Sequence, residues 1–412
     1  MTQPTPLTTH QPTTGSLWSF EFIALCAIST LAFSNIAIFY GFYDYLSDIG
    51  VEPAWRGPLL SLEPLTALLV RPFFGRYLTL GNGTKFIRVG LCLATAALVS
   101  YPFATVIPVL ALVRVLHGAG FVAIVAGLMG ILTSFLPQNK IAQGFGLFSI
   151  TILLPYAIVP PFIELLLPHL SGGHGMAYAV AAPLMLPAFL LLRPLSRKTR
   201  TMAAALPPEY RQKPTWAEVR EGIASPGVTS LVVANMLLVS AHAIVFFFMR
   251  DFALGLGAAN PGMFFTCANA ATITLRVTGA RALNRIDQGG TLVRAFFGLG
   301  VLLPLFALAG GPGILWGMAV LYGTGMGLTM PLINASMITI SPPRLKAFNA
   351  NLIMVAVDAG FFAGPLLGGA LLAGGWTRPG LFILGGGFMA TAGLLMVPVA
   401  RRMRQTKAEA AA

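Results

Sequence analysis

The sequence predicts an all-α integral membrane protein, with twelve transmembrane helices in two pseudo-symmetric six-helix bundles. Charged residues make up only 9% of the 412 residues, whereas hydrophobic residues make up 56%. A soluble domain carries roughly 25% charged residues, so this chain has too few to cover a water-facing surface. Its apolar residues form long runs, and each run provides the roughly 20 residues that a membrane helix requires. Landmarks in the first half of the chain also recur in the second half.

Twelve apolar runs are the predicted spans. They are continuous instead of alternating over about ten residues, which favours helices over barrel strands. The first six runs cover 19–43, 56–76, 85–103, 107–133, 142–168 and 176–195, and the second six cover 228–250, 261–281, 291–310, 312–337, 347–374 and 379–400. This predicts an N-terminal tail (1–18), a first bundle (19–195), a polar linker (196–227), a second bundle (228–400) and a C-terminal tail (401–412).

The basic residues predict the orientation. Lys and Arg number 26 against 13 Asp and Glu, for a net charge of +13. If the N-terminus is cytoplasmic, twenty of these basic residues fall in cytoplasmic loops and tails and three fall outside, which follows the positive-inside rule. We therefore predict a multi-pass protein of the cytoplasmic (inner) membrane with both termini in the cytoplasm. The charge is spread over six separate segments, which argues against nucleic acid as a partner.

The sequence lacks the motifs of several enzyme classes. Cys26, Cys92 and Cys267 lie far apart in apolar runs, without the spacing of a metal site or a disulfide framework. Neither a phosphate-binding GxxxxGK[ST] loop nor a nucleophile elbow occurs. We predict that the chain is not an enzyme, has no cofactor or metal, and draws its energy from a proton gradient. The expected partners are a small-molecule substrate and the lipid bilayer, and the chain is expected to function as a monomer.

An internal repeat relates the two halves. Several landmarks recur 205 residues apart: HGAGF at 117–121 with YGTGM at 322–326, Pro137 with Pro342, Pro160 with Pro365, and Arg71 with Arg276. Repeats of this size are typical of secondary transporters built from two related six-helix halves.

Three motifs carry a family resemblance. The fourth run contains RVLHGAGF, and the tenth run with its loop reads YGTGMGLTMPLINASMITISPPRLKAF. The eleventh run has a GxxxGPxxGG pattern that includes Gly360, Gly364, Pro365 and Gly368. Over residues 18–402 the sequence resembles the major facilitator superfamily, in particular its bacterial efflux-type members. The resemblance implies a solute site between two six-helix halves and transport by alternating access. The glycine-proline pattern is usually called the antiporter motif and more often marks span 5.

The loop after the second run departs from the family pattern. Gly75 and Arg76 are present, but Thr79 stands where the family has an aspartate that helps to lock the halves. Arg76 is therefore expected to use a helix C-terminus or lipid phosphate as its partner. The glycines of run 11 share one helix face, which predicts close packing at the interface between the halves. Whether they also serve movement stays open.

Ionisable residues at bilayer depth are the main candidates for function, because burying them is costly unless they face a partner or a watery cavity. Arg114 needs an anion, which is a solute, an acid or a lipid. His117 lies one turn further along the same face and either couples a proton or only packs. Glu63 is close in depth to Arg114, so the two are predicted to pair and to take part in coupling.

Asp358 has three readings: a proton carrier, a gating bridge to Arg71, or a structural residue. Arg276 is expected to share the gating or lipid-anchoring role of its repeat partner, Arg71. Glu164, near the outer end of run 5, is a further candidate for proton coupling, although an interfacial role is equally open. The remaining candidates for the substrate cavity are polar or aromatic residues on helices that the resemblance places there: Asn35, Tyr40, His242, Phe246 and Asn269.

The best prediction is a secondary active transporter that moves a small solute by alternating access. Proton-coupled export of an anionic or zwitterionic metabolite or chelator is the favoured form. A multidrug/proton antiporter for cationic or lipophilic compounds is one alternative, and an uptake facilitator or symporter is another.

Overall fold

The computed structural model describes residues 16–136, 140–204, 220, 227–283, 287–341 and 346–409. These residues are helical apart from short turns, and none of them forms a strand. The helices are α1 (Phe20–Asp48), α2 (Pro53–Tyr77), α3 (Gly83–Ser100), α4 (Ile107–Leu132), α5 (Ile141–Leu166), α6 (Gly173–Ala204), α7 (Val228–Gly255), α8 (Met263–Leu283), α9 (Gln288–Leu305), α10 (Pro312–Ile340), α11 (Lys346–Ala373) and α12 (Arg378–Glu409). Short 3₁₀ segments interrupt α1 at Ile38–Gly41 and α6 at Ala182–Met185.

Ten of these helices are long and apolar enough to cross a membrane. The two that fall short, α2 and α8, are 25 and 21 residues long and carry Arg71 and Arg276. At 1.5 Å per residue, 25 helical residues extend about 37 Å, so their polarity and not their length sets them apart. The all-α membrane fold predicted from the sequence is thus confirmed, and the crossing of the bilayer by α2 and α8 stays a prediction.

Two helices continue past the ends of their apolar runs. The run predicted to end at 195 is part of α6, which continues to Ala204, and the run predicted to end at 400 is part of α12, which continues to Glu409. Helix α6 stops shortly before Pro207 and Pro208, whereas the residues after 400 are mostly good helix formers. An apolar run marks the stretch that suits lipid, whereas the end of a helix is set by helix-breaking and capping residues. The predicted linker, 196–227, lies largely outside the described residues, and the division into two bundles stays a prediction.

Two helix pairs form the most extensive contacts between the halves: α2 packs on α11, and α5 packs on α8. The 205-residue repeat relates these pairs to each other. In the second pair, Pro161 has no N–H to donate, which leaves the Ala157 carbonyl without its helical partner. The Thr266 hydroxyl of α8 donates to this carbonyl at 2.7 Å. A proline in one half thereby creates a hydrogen bond to the other half.

The glycines of the GxxxGPxxGG motif contact α7 and not the opposite half. A Cβ on Gly360 would lie 2.6 Å from Val239 Cβ, and one on Gly368 would lie 2.5 Å from the Phe248 ring, both in α7. Gly364 likewise faces the Ser240 carbonyl of α7. The prediction that these three glycines pack between the halves is therefore wrong. Spacing by four residues keeps them on one helix face, and that face belongs to the C-terminal half.

Gly369 makes the close contact between halves instead. It follows Gly368 and is turned about 100° round α11, which aims it at Gly57 of α2. A Cβ on Gly57 would lie 3.1 Å from both the Gly369 Cα and the Pro365 carbonyl oxygen. The backbones of α2 and α11 therefore meet with no side chain between them.

Gly369→Val is expected to force α2 and α11 apart, because a β-carbon at this position meets backbone that cannot rotate away. Overpacking of this kind costs about 1–3 kcal/mol. Spin labels at the exposed positions of Trp55 and Trp376, in a protein whose three native cysteines are replaced by alanine, should report longer distances between the halves. Gly298→Val is the control, since a β-carbon there meets nothing within 4 Å. An unchanged distance in Gly369→Val would contradict this reading of the crossing.

Candidate functional site

The polar residues of the site are placed with respect to the two ends of the bundle. One end holds the connections from α1 to α2 and from α7 to α8, and we call it the α1–α2 end. The other holds the connection from α2 to α3, and we call it the α2–α3 end. The distribution of basic residues predicts that the α1–α2 end lies outside the cell.

An ion pair joins the halves at the middle of α11. Arg71 of α2 binds Asp358 of α11 with two parallel hydrogen bonds, of which Nη2 to Oδ1 measures 2.8 Å. The side chains are 14% and 10% exposed. A guanidinium matches a carboxylate in this two-point geometry, which makes such a pair strong and directional. The structure thus brings together the two residues for which a gating bridge was one of three readings.

Arg114 is enclosed within the N-terminal half, with 1% of its surface exposed. Its Nη2 donates to the Leu60 carbonyl at 2.9 Å, and its Nε donates to the Leu59 carbonyl at 3.1 Å. Pro64 supplies no N–H to Leu60 four residues earlier, so Arg114 satisfies a carbonyl that the proline leaves free. Nη2 also lies 3.3 Å from Glu63 Oε2, which is the predicted pairing. This placement favours the structural role of Arg114 over direct contact with solute.

His117 is equally enclosed, and both of its ring nitrogens are occupied. Nε2 lies 2.6 Å from Asn35 Oδ1, and Nδ1 lies 3.2 Å from the Tyr101 hydroxyl. A carbonyl oxygen of Asn35 can only accept, so we assign the ring proton to Nε2. The ring has no exposed surface, and neither His117 nor Asn35 faces the space between the halves. The packing role of His117, which the sequence left open, fits this position better than proton coupling.

A second ionic cluster joins the halves at the α1–α2 end. Arg250 of α7 donates to Glu164 of α5 through Nε at 2.7 Å and Nη2 at 3.1 Å, and to Asp44 of α1 through Nη1 at 3.0 Å. The buried Tyr40 hydroxyl is also hydrogen-bonded to Glu164. All three charged side chains are at most 14% exposed. Tyr40 and Glu164 therefore belong to a closure at this end, where Arg250 links α7 to two helices of the other half.

Sequence reasoning missed Arg250 and Asp44. The apolar run of span 7 ends at 250, which suggested an exposed loop, but α7 continues to Gly255 and keeps Arg250 within the bundle. The sequence did contain a signal for this cluster. Arg250 lies at the same end of the predicted spans, and at a similar depth, as the two acids Asp44 and Glu164.

Glu164→Gln is expected to lower the free energy of unfolding by about 1.5–3 kcal/mol, the usual contribution of hydrogen bonds to charged groups. Arg250 keeps Asp44, so the loss stays below that of an abolished pair. The spin-label distance between positions 55 and 376 should also lengthen as the α1–α2 end loosens. Glu52→Gln at the same end removes an exposed carboxylate and should change neither quantity. Identical behaviour of the two variants would rule out a closing role for Glu164.

The sequence also matches the family model described as "Major Facilitator Superfamily" over residues 22–365. The chain belongs to the major facilitator superfamily. Similar solved structures include a mutant of the peptide transporter POT in complex with sulfate, with TM-score 0.69 and 16% identity over 95% of this chain and 97% of that one. A mutant of the nucleoside transporter NupG gives TM-score 0.71 and 14% identity over 92% of this chain and 99% of that one. At these identities the likeness shows the fold. A comparison with curated protein sequences found no significant match.

Aromatic side chains connect the two halves of this superfamily member. Tyr156 of α5 packs edge-on against Phe246 of α7, with ring centroids 5.5 Å apart, and Phe33 of α1 packs against Phe121 of α4 and against Tyr156. Phe246 is buried, so it packs against Tyr156 without being exposed itself. Phe33, Phe121 and Tyr156 are partly exposed and were not among the predicted residues.

His242 and Asn269 lie on the C-terminal side. His242 Nδ1 lies 2.7 Å from the Tyr322 hydroxyl, and its ring meets Phe361 edge-on at 5.9 Å. Asn269 donates to the Phe265 carbonyl of its own helix at 2.8 Å. Both side chains are partly exposed, which suits residues that border a cavity.

Of the predicted gating residues, Gly75 and Arg76 fall within α2, but their side chains lie outside the described part of the structure. Arg276 of α8 is partly buried, and its Nε is buried with no hydrogen-bond partner in the part of the chain that the structure describes. Among the described residues, no group of three His, Cys, Asp or Glu side chains is placed to hold a metal ion.

Proposed function

We propose that this superfamily transporter exports a small anionic or zwitterionic solute, a metabolite or a chelator, in exchange for protons. It would do so in the cytoplasmic membrane, with both termini inside and the α1–α2 end outside. The observation that carries the proposal is the Arg71–Asp358 bridge, because it places a titratable carboxylate between the two halves that must rock for alternating access.

Protonation of Asp358 provides the coupling step. The ionised carboxylate accepts two hydrogen bonds from Arg71 and holds α2 against α11. A protonated carboxyl has no charge and one fewer acceptor site, so the bridge weakens and the halves can move. Glu63, which is held by Arg114, is the second acid that we assign to proton coupling.

The export direction and the solute class rest on different features. The glycine-proline motif of α11 resembles that of antiporters, which supports export. The small number of acids at bilayer depth supports an anion or a zwitterion. The peptide and nucleoside transporters with the same fold suggest solutes of that size for a first screen.

A multidrug/proton antiporter for cations is the second candidate. The aromatic cluster of Phe33, Phe121 and Tyr156 would suit a lipophilic cation, with Glu63 and Asp358 as counter-charges. An uptake facilitator or symporter is the third candidate, and it would need no proton exchange.

Everted membrane vesicles with an acidified interior and a pH-sensitive dye test the proposal. Dialanine, succinate, uridine and ethidium would be added in turn to vesicles that contain the full chain or its Asp358→Asn variant. Proton release on addition of dialanine or succinate, absent in Asp358→Asn, is the expected result. Proton release with ethidium alone would establish the cation antiporter instead. Uptake of a solute by whole cells without proton release would establish the facilitator, and the export proposal would fail in both cases.

A further inference from the structure

Arg276 faces away from the lipid side of α8. The exposed Thr274 and Thr278 lie two residues before and after it, and at 3.6 residues per turn a separation of two residues places side chains about 160° apart. Thr266 points to α5, where it bonds the Ala157 carbonyl, and Thr272 points to α10, where it bonds the Gly323 carbonyl. The Arg276 direction falls between these two, towards the space between the halves.

Asn269 shares this face. It precedes Arg276 by seven residues, which is nearly two full turns, and both side chains are partly exposed. Arg276 lies seven residues before the end of α8, or about 10 Å from that end at 1.5 Å per residue. The inward stripe of α8 thus carries one cation and one amide at bilayer depth.

Arg276 lacks the partner that its repeat counterpart has. Arg71 is bound by Asp358, but the residue 205 positions before Asp358 is Leu153, on the helix α5 that packs against α8. Among the residues that the structure describes, no carboxylate forms an ion pair with Arg276, and its Nε is buried without a hydrogen-bond partner. An arginine cannot relieve this by losing its proton. The α5–α8 pair therefore has the arginine of the repeat but lacks the acid that binds it in the α2–α11 pair.

We propose that Arg276 binds the carboxylate of the transported solute. Because Nε is buried, the two terminal Nη nitrogens of this partly exposed side chain are the atoms that can make a two-point contact with a carboxylate. A solute that supplies the missing charge completes the second pair of the repeat. Asn269, two turns further towards the α1–α2 end, offers an amide to the polar remainder of the solute. This inference rests on the proposed transport function and names the residue that selects the substrate class.

Binding is tested with the purified full chain in a neutral maltoside detergent. Succinate and dialanine are the probes, and succinamide and dialanine amide are their counterparts without a carboxylate. Both acids should raise the thermal unfolding midpoint of the protein, and the amides should not. Arg276→Gln should weaken the apparent affinity by at least about tenfold, since a charge-assisted two-point contact is lost. Arg294→Gln removes an exposed arginine from the next helix and should bind as the parent protein does.

A second measurement does not depend on the stability of Arg276→Gln. In a protein whose native cysteines are replaced by alanine, Arg276→Cys should react with a water-soluble thiol reagent. Succinate should not change the labelling of the control Trp376→Cys, which lies in the exposed turn between α11 and α12. With Arg276 intact, succinate should lower the reactivity of Asn269→Cys. The proposal is overturned if neither acid stabilises the parent protein, if Arg276→Gln binds as well as the parent, or if only added phosphatidylglycerol stabilises the protein through Arg276.

The binding test and the vesicle test separate the two proposals. Proton-coupled transport of a carboxylate that is unchanged in Arg276→Gln would leave the proposed function standing and refute this inference. Binding that depends on Arg276, without any proton exchange, would support this inference and refute the proposed function.

Discussion

Arg71→Gln is expected to lower the free energy of unfolding by about 3–5 kcal/mol, the usual consequence of removing one partner from a buried ion pair. The loss is large because Asp358 would keep a charge at mid-depth with only 10% of its side chain exposed. Adding Asp358→Asn to the same protein removes that stranded charge, so the double variant should recover most of the loss. The measurement is thermal or denaturant unfolding of the purified protein in detergent.

The matched control is Arg276→Gln, in the equivalent position of the other half. Arg276 has no ion-pair partner among the described residues, so its removal strands no acid and should cost far less than Arg71→Gln. Losses that simply add in the double variant would show that Arg71 and Asp358 do not stabilise one another. That result would also remove the basis of the proposed proton coupling, because Asp358 would then not hold the two halves together.

The sequence predicted best those features for which few alternatives exist. The long apolar runs and the small number of charges predicted the fold. The scarcity of acids at bilayer depth left Arg71 with Asp358, and Arg114 with Glu63, as natural partners, and the structure places both pairs in contact. A charge in lipid needs an opposite charge, so few pairings had to be considered.

The directions of side chains were harder to predict. The GxxxGPxxGG spacing showed that Gly360, Gly364 and Gly368 share a face, but not that this face meets α7. The role of Arg250 depended on how far α7 continues past its apolar run, which is set by the neighbouring helices. Glycine spacing and hydropathy describe one helix at a time, whereas these features arise between helices.

Arg114 shows the same limit and yields the second prediction of large effect. Its sequence setting fitted a solute-binding arginine, but the structure surrounds it with the carbonyls of Leu59 and Leu60, the Glu63 carboxylate and the Tyr101 hydroxyl. Arg114→Gln should therefore lower the free energy of unfolding by about 3–5 kcal/mol, measured by unfolding in detergent. The variant that folds should still bind succinate with the affinity of the parent protein, because the lost contacts are all internal.

Two further substitutions separate the internal role from a role in binding. Pro64→Ala returns an N–H donor to the Leu60 carbonyl, and Glu63→Gln removes the charge that Arg114 balances. Combined with Arg114→Gln, they should restore part of the lost stability, whereas Arg88→Gln, outside this cluster, should leave stability unchanged throughout. A stable Arg114→Gln protein that no longer binds succinate would instead place the solute at Arg114. The assignment of the carboxylate site to Arg276 would then fail together with the internal role of Arg114, because a single solute cannot reach both a sealed helix interface and the open face of α8.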